Sequence, residues 1–114
     1  VKKQYKLEYA DGYEITIEID HAIMTDEQLH EINNFWGDAE GRLYHDDVLT
    51  AVLKMFMTTW MHECCETFDP EQRFNSGEIE GWPPLDGRYG IKLVDYEPYS
   101  FESDNVYVRE VETA

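Results

Sequence analysis

The residues richest in coordination chemistry stand together at His62, Glu63, Cys64 and Cys65, with His45 upstream. Imidazole and thiolate are zinc ligands, and zinc takes them four at a time from pairs spaced to reach one ion. The spacing here works against that. On a helix Cys64 and Cys65 diverge by about 100°. His62 and Cys65 at i, i+3 share a face, but two further ligands must then come from elsewhere, and no CxxC or HxxxH pair exists. The plainer reading makes Cys64 a small core residue and Cys65 an incidental thiol. A bridge between the two would force a strained ring, because a relaxed disulfide holds its Cα atoms about 5.5 Å apart. Both thiols are therefore expected to be reduced. Asp69 to Glu80 has the length and the terminal carboxylates of a calcium loop, yet Arg73 and Phe74 fall where that loop needs an oxygen ligand and its turn-forming glycine. No metal and no cofactor is expected.

Catalytic patterns are equally thin. There is no nucleophile paired with a base, no phosphate loop and no dinucleotide fingerprint. His21, His30, His45 and His62 can be matched on paper with any of the many carboxylates, which carries no weight beside the ordinary reading of solvated surface histidines. The chain is not expected to be an enzyme.

Charge is the extreme feature: 25 Asp and Glu against 9 Lys and Arg, a formal net charge of −16. A phosphate backbone would be repelled, and the cations that could offset this do not cluster into a binding patch, so no direct nucleic-acid binding is expected. Lys2, Lys3 and Lys6 lie near the N-terminus, while Arg42, Lys54, Arg73, Arg88, Lys92 and Arg109 are scattered. The partner that suits such a field is a basic surface. Glu14, Glu18 and Asp20 alternate with isoleucines, so in a strand they share one face, with successive even positions about 6.7 Å apart. That spacing is two nucleotides of rise at about 3.4 Å each along one DNA strand. Glu8 on a neighbouring strand, and Asp95 or Glu97 on a third, would widen the array. The competing reading is that any half-solvated antiparallel sheet carries charges there. Trp82, in Gly-Trp-Pro-Pro, and Trp36, before Gly37, are either interaction anchors or lids folded over the core. Met24, Met55, Met57 and Met61 suit core filling.

These residues need elements to position them. Tyr5, Leu7 and Tyr9, then Tyr13, Ile15, Ile17 and Ile19, alternate on either side of Ala10-Asp11-Gly12, which predicts a hairpin of Lys2–Tyr9 and Tyr13–Asp20. Thr25 caps a first helix, with Gln28 as the third residue of a capping box, Met24 stapling onto Leu29, and Leu29, Ile32 and Phe35 or Trp36 at helical spacing before Gly37. Residues 38–46 read as a connector with at most a turn of helix near Leu43. A second helix runs from about Asp47 to Glu66. Its apolar residues, Val48 to Cys64, cover an arc of roughly 200°, against about 100° for an ordinary surface helix. Such a helix must be covered on several sides, by the rest of the chain or by a second copy. Residues 67–88 show no period. Tyr89–Tyr96 and Asn105–Val111 read as two strands. The expected fold is α+β in the order ββααββ, an antiparallel four-stranded sheet with two helices packed on one face, as one acidic domain over residues 1–114. No stretch is long and apolar enough for a membrane span, and no signal-peptide segment opens the chain, so no membrane association is expected and a cytoplasmic location is.

Two stretches, Glu31 to Leu43 (EINNFWGDAEGRL) and Glu80 to Glu97 (EGWPPLDGRYGIKLVDYE), together with the order of hairpin, acidic helix, apolar helix and terminal strands, resemble an uncharacterised phage and prophage family known only as a domain of unknown function, family 2528. The resemblance brings no catalytic or binding residues. It implies a mobile-element setting, in which small proteins often act by binding host machinery. The functional expectation is a non-catalytic protein that binds a basic, nucleic-acid-binding host protein through Glu8, Glu14, Glu18, Asp20 and Trp82. In its most concrete form it is a DNA-mimic inhibitor of host defence, such as an anti-CRISPR or anti-restriction protein. A homo-oligomeric scaffold, possible as a homodimer, and a metal-dependent enzyme are the alternatives. The metal reading is settled by elemental analysis. Purified protein should carry no stoichiometric zinc, and Cys64→Ser with Cys65→Ser should leave a fold that chelator does not disturb; one zinc per chain with unfolding in chelator is the contrary result.

Overall fold

The structure is a computed structural model, and it describes residues 1–97, 99, 103 and 106–111, apart from the side chain of Asp11. The hairpin forms where the alternation places it. Strands β1 (Lys2–Tyr9) and β2 (Tyr13–Asp20) pair antiparallel, with Tyr9 opposite Tyr13 and Lys2 opposite Asp20. The three-residue connection ends on Gly12 at φ 78°, the left-handed position that a Cβ would strain. Ile15, Ile17 and Ile19 are almost fully buried, so one face of β2 is the floor of the core.

Helix α1 (Asp26–Phe35) begins at its expected cap, where Thr25 Oγ1 accepts from the Gln28 N–H at 3.3 Å. A second short helix, α2 (Ala39–His45), occupies much of the expected connector. The tie between them is polar and partly buried. Arg42 donates to Asn33 Oδ1 at 2.7 Å, to Asn33 O at 2.7 Å and to Gly37 O at 2.6 Å, while Asn33 Nδ2 donates to Ala39 O at 3.2 Å. Asn33 is fully buried, and these partners satisfy it.

Helix α3 (Val48–Glu66) starts where Asp47 Oδ1 accepts from the Thr50 N–H at 2.8 Å. Its wide apolar arc is covered within the chain: α3 packs against α1, α2 and β1 and against α4 (Pro70–Asn75). Val52, Phe56 and Trp60 are buried in one cluster with the three isoleucines, Phe74, Trp82 and Ile91. The expected period-free stretch thus holds α4, whose N-cap Asp69 accepts from Gln72 N–H at 3.2 Å and whose Pro70 occupies the first helical turn.

The sheet corrects the sequence expectation. Among the described residues it has three strands in the order β1-β2-β3, and the chain has four helices instead of two, giving ββααααβ. Strand β3 is Ile91–Asp95, shorter than Tyr89–Tyr96, because Gly90 still belongs to a turn: its φ is 88°, its N–H bonds Gly87 O at 3.1 Å, and a Cβ there would lie 2.6 Å from Met24 N. The expected fourth strand, Asn105–Val111, is not found among the described residues: residues 106–111 contain no strand. The natural place for it, beside β3, is taken. Leu93 N–H bonds Leu85 O at 3.1 Å, Gly87 N–H bonds Ile91 O at 3.0 Å, and Asp86 bridges to Lys92.

Phe56 lies at the centre of the aromatic cluster, 5.3 Å from Phe74 and 5.4 Å from Trp82 between ring centroids. Phe56→Ala should cost about 3 to 5 kcal/mol in denaturant titration, whereas Thr58→Ala on the exposed stripe should stay within about 0.5 kcal/mol.

Candidate functional site

The solvent face of the sheet brings together the carboxylates that alternation placed there. Glu14, Glu18 and Asp20 line the even side of β2, Glu8 stands directly opposite Glu14 on β1, and Asp95 pairs with Thr16 from β3. At one end of the sheet Glu14, Asp95 and Glu97 share a cleft of about 340 Å³ with Lys6, Thr16 and Tyr13. Its carboxylates suit a guanidinium or ammonium group.

The pairing also supplies what one strand alone could not reveal. Lys2 is opposite Asp20, Lys92 is opposite Glu18, and Lys6 Nζ lies 3.9 Å from Glu14. Gln4 Nε2 donates to Glu18 at 3.4 Å, and Asp20 Oδ1 accepts from Ala22 N–H at 3.0 Å. The array is therefore interleaved with lysines, and each of Glu14, Glu18 and Asp20 has a partner of its own. Trp82 does not join it. The indole is 6 % exposed, edge-on to Phe56, and so occupies the lid position of its two sequence readings.

The excess of negative charge lies on the helical side. Residues 26–80 hold thirteen Asp and Glu against three Lys and Arg. Each of those cations is engaged: Arg42 in the Asn33 network, Lys54 with Asp46 at 2.9 Å, and Arg73 with Glu63 at 2.9 Å, Glu78 at 3.3 Å and Glu66 at 3.6 Å. Asp26, Glu27, Glu31, Glu40 and Glu80 stay exposed. Glu27 and Glu31 are an i, i+4 like-charge pair, which costs an isolated helix about 0.2 to 0.5 kcal/mol. Sequence counting finds this excess, but only the fold shows that four of the five lysines, Lys2, Lys3, Lys6 and Lys92, lie on the sheet.

His62 and Cys65 line a groove of about 280 Å³ with Tyr9, Thr58, Met61 and Tyr99. Among the described residues no group of three or more His, Cys, Asp and Glu is placed to hold a metal. Burial pushes the Cys64 thiol up from its ordinary range, which disfavours thiolate. Nearby, Trp60 Nε1 donates to Tyr13 OH at 2.8 Å, and Tyr13 OH donates to Glu97 O at 2.6 Å.

The geometry is that of a small acidic α+β domain with a charged sheet face and an electronegative helical side, and no helix among its described residues is long and apolar enough to cross a membrane. The family described as "Protein of unknown function (DUF2528)" matches residues 14–108, and the chain belongs to it. It is 40% identical over 121 residues to the lambda prophage-derived protein ea10 of Escherichia coli O6:H1, with 94% of this chain and 95% of that protein covered. Protein ea10 of Escherichia phage lambda is similar to the same extent, 40% identical over 121 residues with 94% and 95% covered. The setting is thus phage and prophage, as the resemblance implied. No solved structure matches the chain.

The Tyr13 relay has a pH consequence. Burial is the main cause that raises the Tyr13 hydroxyl from 10.0 to about 12, against a lowering by the Trp60 hydrogen bond. A raised folded-state value means that the protonated phenol stabilises the fold fully below about pH 10 and that this contribution is lost as pH climbs through the window up to about 12. Tyr13→Phe should remove that alkaline component from a pH series of thermal melts. At neutral pH it should cost about 1 to 3 kcal/mol, because Trp60 Nε1 is left buried without its acceptor.

Proposed function

We propose that this is a non-catalytic phage-type protein that binds a basic, normally nucleic-acid-binding host protein, in the manner of a DNA mimic that inhibits host defence such as a CRISPR or restriction system. The observation that carries the reading is the segregation of charge. On residues 26–80 thirteen carboxylates stand against three occupied cations, and Asp26, Glu27, Glu31, Glu40 and Glu80 lie exposed on that side. A field of one sign raises the encounter rate with a surface of the other, and it is screened over about 8 Å at physiological salt. The helical side supplies this steering, and the Glu14, Asp95 and Glu97 cleft offers a seat for one basic side chain.

The experiment is affinity capture from host lysate with chemical cross-linking, followed by competition on the captured protein. The captured partner should be basic, duplex DNA should displace it, and association should slow steeply as salt rises. Glu27→Gln, Glu31→Gln and Glu40→Gln together should weaken binding about tenfold or more, and Glu14→Gln, Glu18→Gln and Asp20→Asn together should weaken it less, because lysines already offset that face. Capture of no basic protein, or of one that DNA does not displace, rejects DNA mimicry.

A further inference from the structure

Strand β1 is the open edge of the sheet. Strand β3 is flanked on both sides, by β2 and by Leu85–Gly87, whereas among the described residues β1 pairs with β2 alone. An edge strand presents a row of backbone N–H and C=O groups to any extended chain that can match it. This one is eight residues long, and its inner side opens into a groove of about 290 Å³ against α3, with Tyr5, Leu7, Leu53 and Met57 in the lining. Its charge is the reverse of the chain's. With Lys2, Lys3 and Lys6 against Glu8, β1 is the one described element with a net positive charge in a chain of net −16.

Lysines on an edge ordinarily keep other strands away. The order of charges along β1 makes one exception, which is β1 itself. The solvent-side residues run Lys2, Gln4, Lys6, Glu8. Two copies paired antiparallel about a two-fold at Tyr5 set Lys2 against the partner's Glu8 and Gln4 against the partner's Lys6, each twice. A two-fold at Gln4 would instead set Lys2 against the partner's Lys6, and a two-fold at Lys6 would set Lys6 against the partner's Lys6, like charges directly opposed in both cases. Registers between these turn the apolar side of one strand to the solvent side of the other. A two-fold at Leu7 also opposes Lys6 to the partner's Glu8 but overlaps only residues 5–9, so the Tyr5 register, which pairs residues 2–8, is the longest one that opposes no like charges. It also places Tyr5, held at 2.8 Å from His21 Nε2, beside the partner's Tyr5 and joins the two α3 grooves across the axis.

We propose that β1 is a self-association surface, on which a second copy of this chain adds its own β1 antiparallel about a two-fold at Tyr5, forming an isologous dimer with one continuous sheet. The proposal goes beyond binding of a basic host protein and does not depend on it.

The test is charge reversal with rescue on the full chain. Light scattering over rising concentration should pass from the mass of one chain to that of two. Lys2→Glu sets glutamate against the partner's Glu8 at both ends and should weaken association roughly tenfold. Glu8→Lys should do the same against the partner's Lys2, and the two together should restore it. All three variants should keep the parent far-ultraviolet spectrum, because both side chains are exposed. Hydrogen exchange on the unaltered chain gives a second measure, since β1 amides not bonded to β2 should exchange more slowly at concentrations that yield the two-chain mass. A one-chain mass at every concentration, a dimer insensitive to the single reversals, or β1 exchange unchanged on dimerisation overturns the assignment.

Discussion

Trp60 is the residue on which the layers depend. Its ring is fully buried and meets Tyr96 at 5.2 Å, Phe74 at 6.1 Å and Phe56 at 6.4 Å between centroids, so one side chain of α3 touches the end of β3, α4 and its own helix. Its only polar atom is spent on Tyr13 at the start of β2, and Tyr13 passes the bond to the backbone of Glu97. Tyr13 thereby fastens the two ends of the sheet's inner strands to the central helix. A buried indole without this acceptor would carry an unmet donor into the core, so hairpin register and helix position are set together.

The same coupling explains how the charge is distributed. The β2 isoleucines must face α3, which turns Glu14, Glu18 and Asp20 outward as a consequence of burial and period. Antiparallel pairing then brings Lys2, Lys6 and Lys92 beside them. The helices have no such lysine supply, and their three cations are drawn into structural contacts that join α1 to α2, α2 to α3 and α3 to α4. The acidic side of the molecule is what remains after the fold has used its cations.

The two stretches that carry the family resemblance meet in space. Gly81, at φ 82°, passes so close to the α1 terminus that a Cβ would lie 2.7 Å from the ring of Phe35 and 2.8 Å from that of Trp36. Gly-Trp-Pro therefore needs its glycine to lie against Phe-Trp and to send Trp82 into the core. On the same turn Arg42 and Asn33 close the α1–α2 corner. These residues account for how the two stretches pack against each other.

Local rules determined a good deal of this protein by themselves. The hairpin bounds follow from alternation around Asp-Gly, the starts of α1 and α3 from Thr25 and Asp47, and the buried stripe of α3 from its spacing, because each is fixed by interactions within a few residues. Helix α4 was within reach too: Asp69-Pro70 is a cap followed by a helix-starting proline, and it was hidden by the glycines and prolines after it. The fourth strand was not decidable from sequence. Residues 105–111 have strand-forming composition, but a strand needs a neighbour, and the neighbour's edge had been claimed by Leu85–Gly87, a segment with no periodic signal of its own. The candidate site divides in the same way. Which carboxylates share a face is a matter of period two within one strand, whereas which of them lysines offset depends on pairing between residues as far apart as Glu18 and Lys92, and only the tertiary structure decides that.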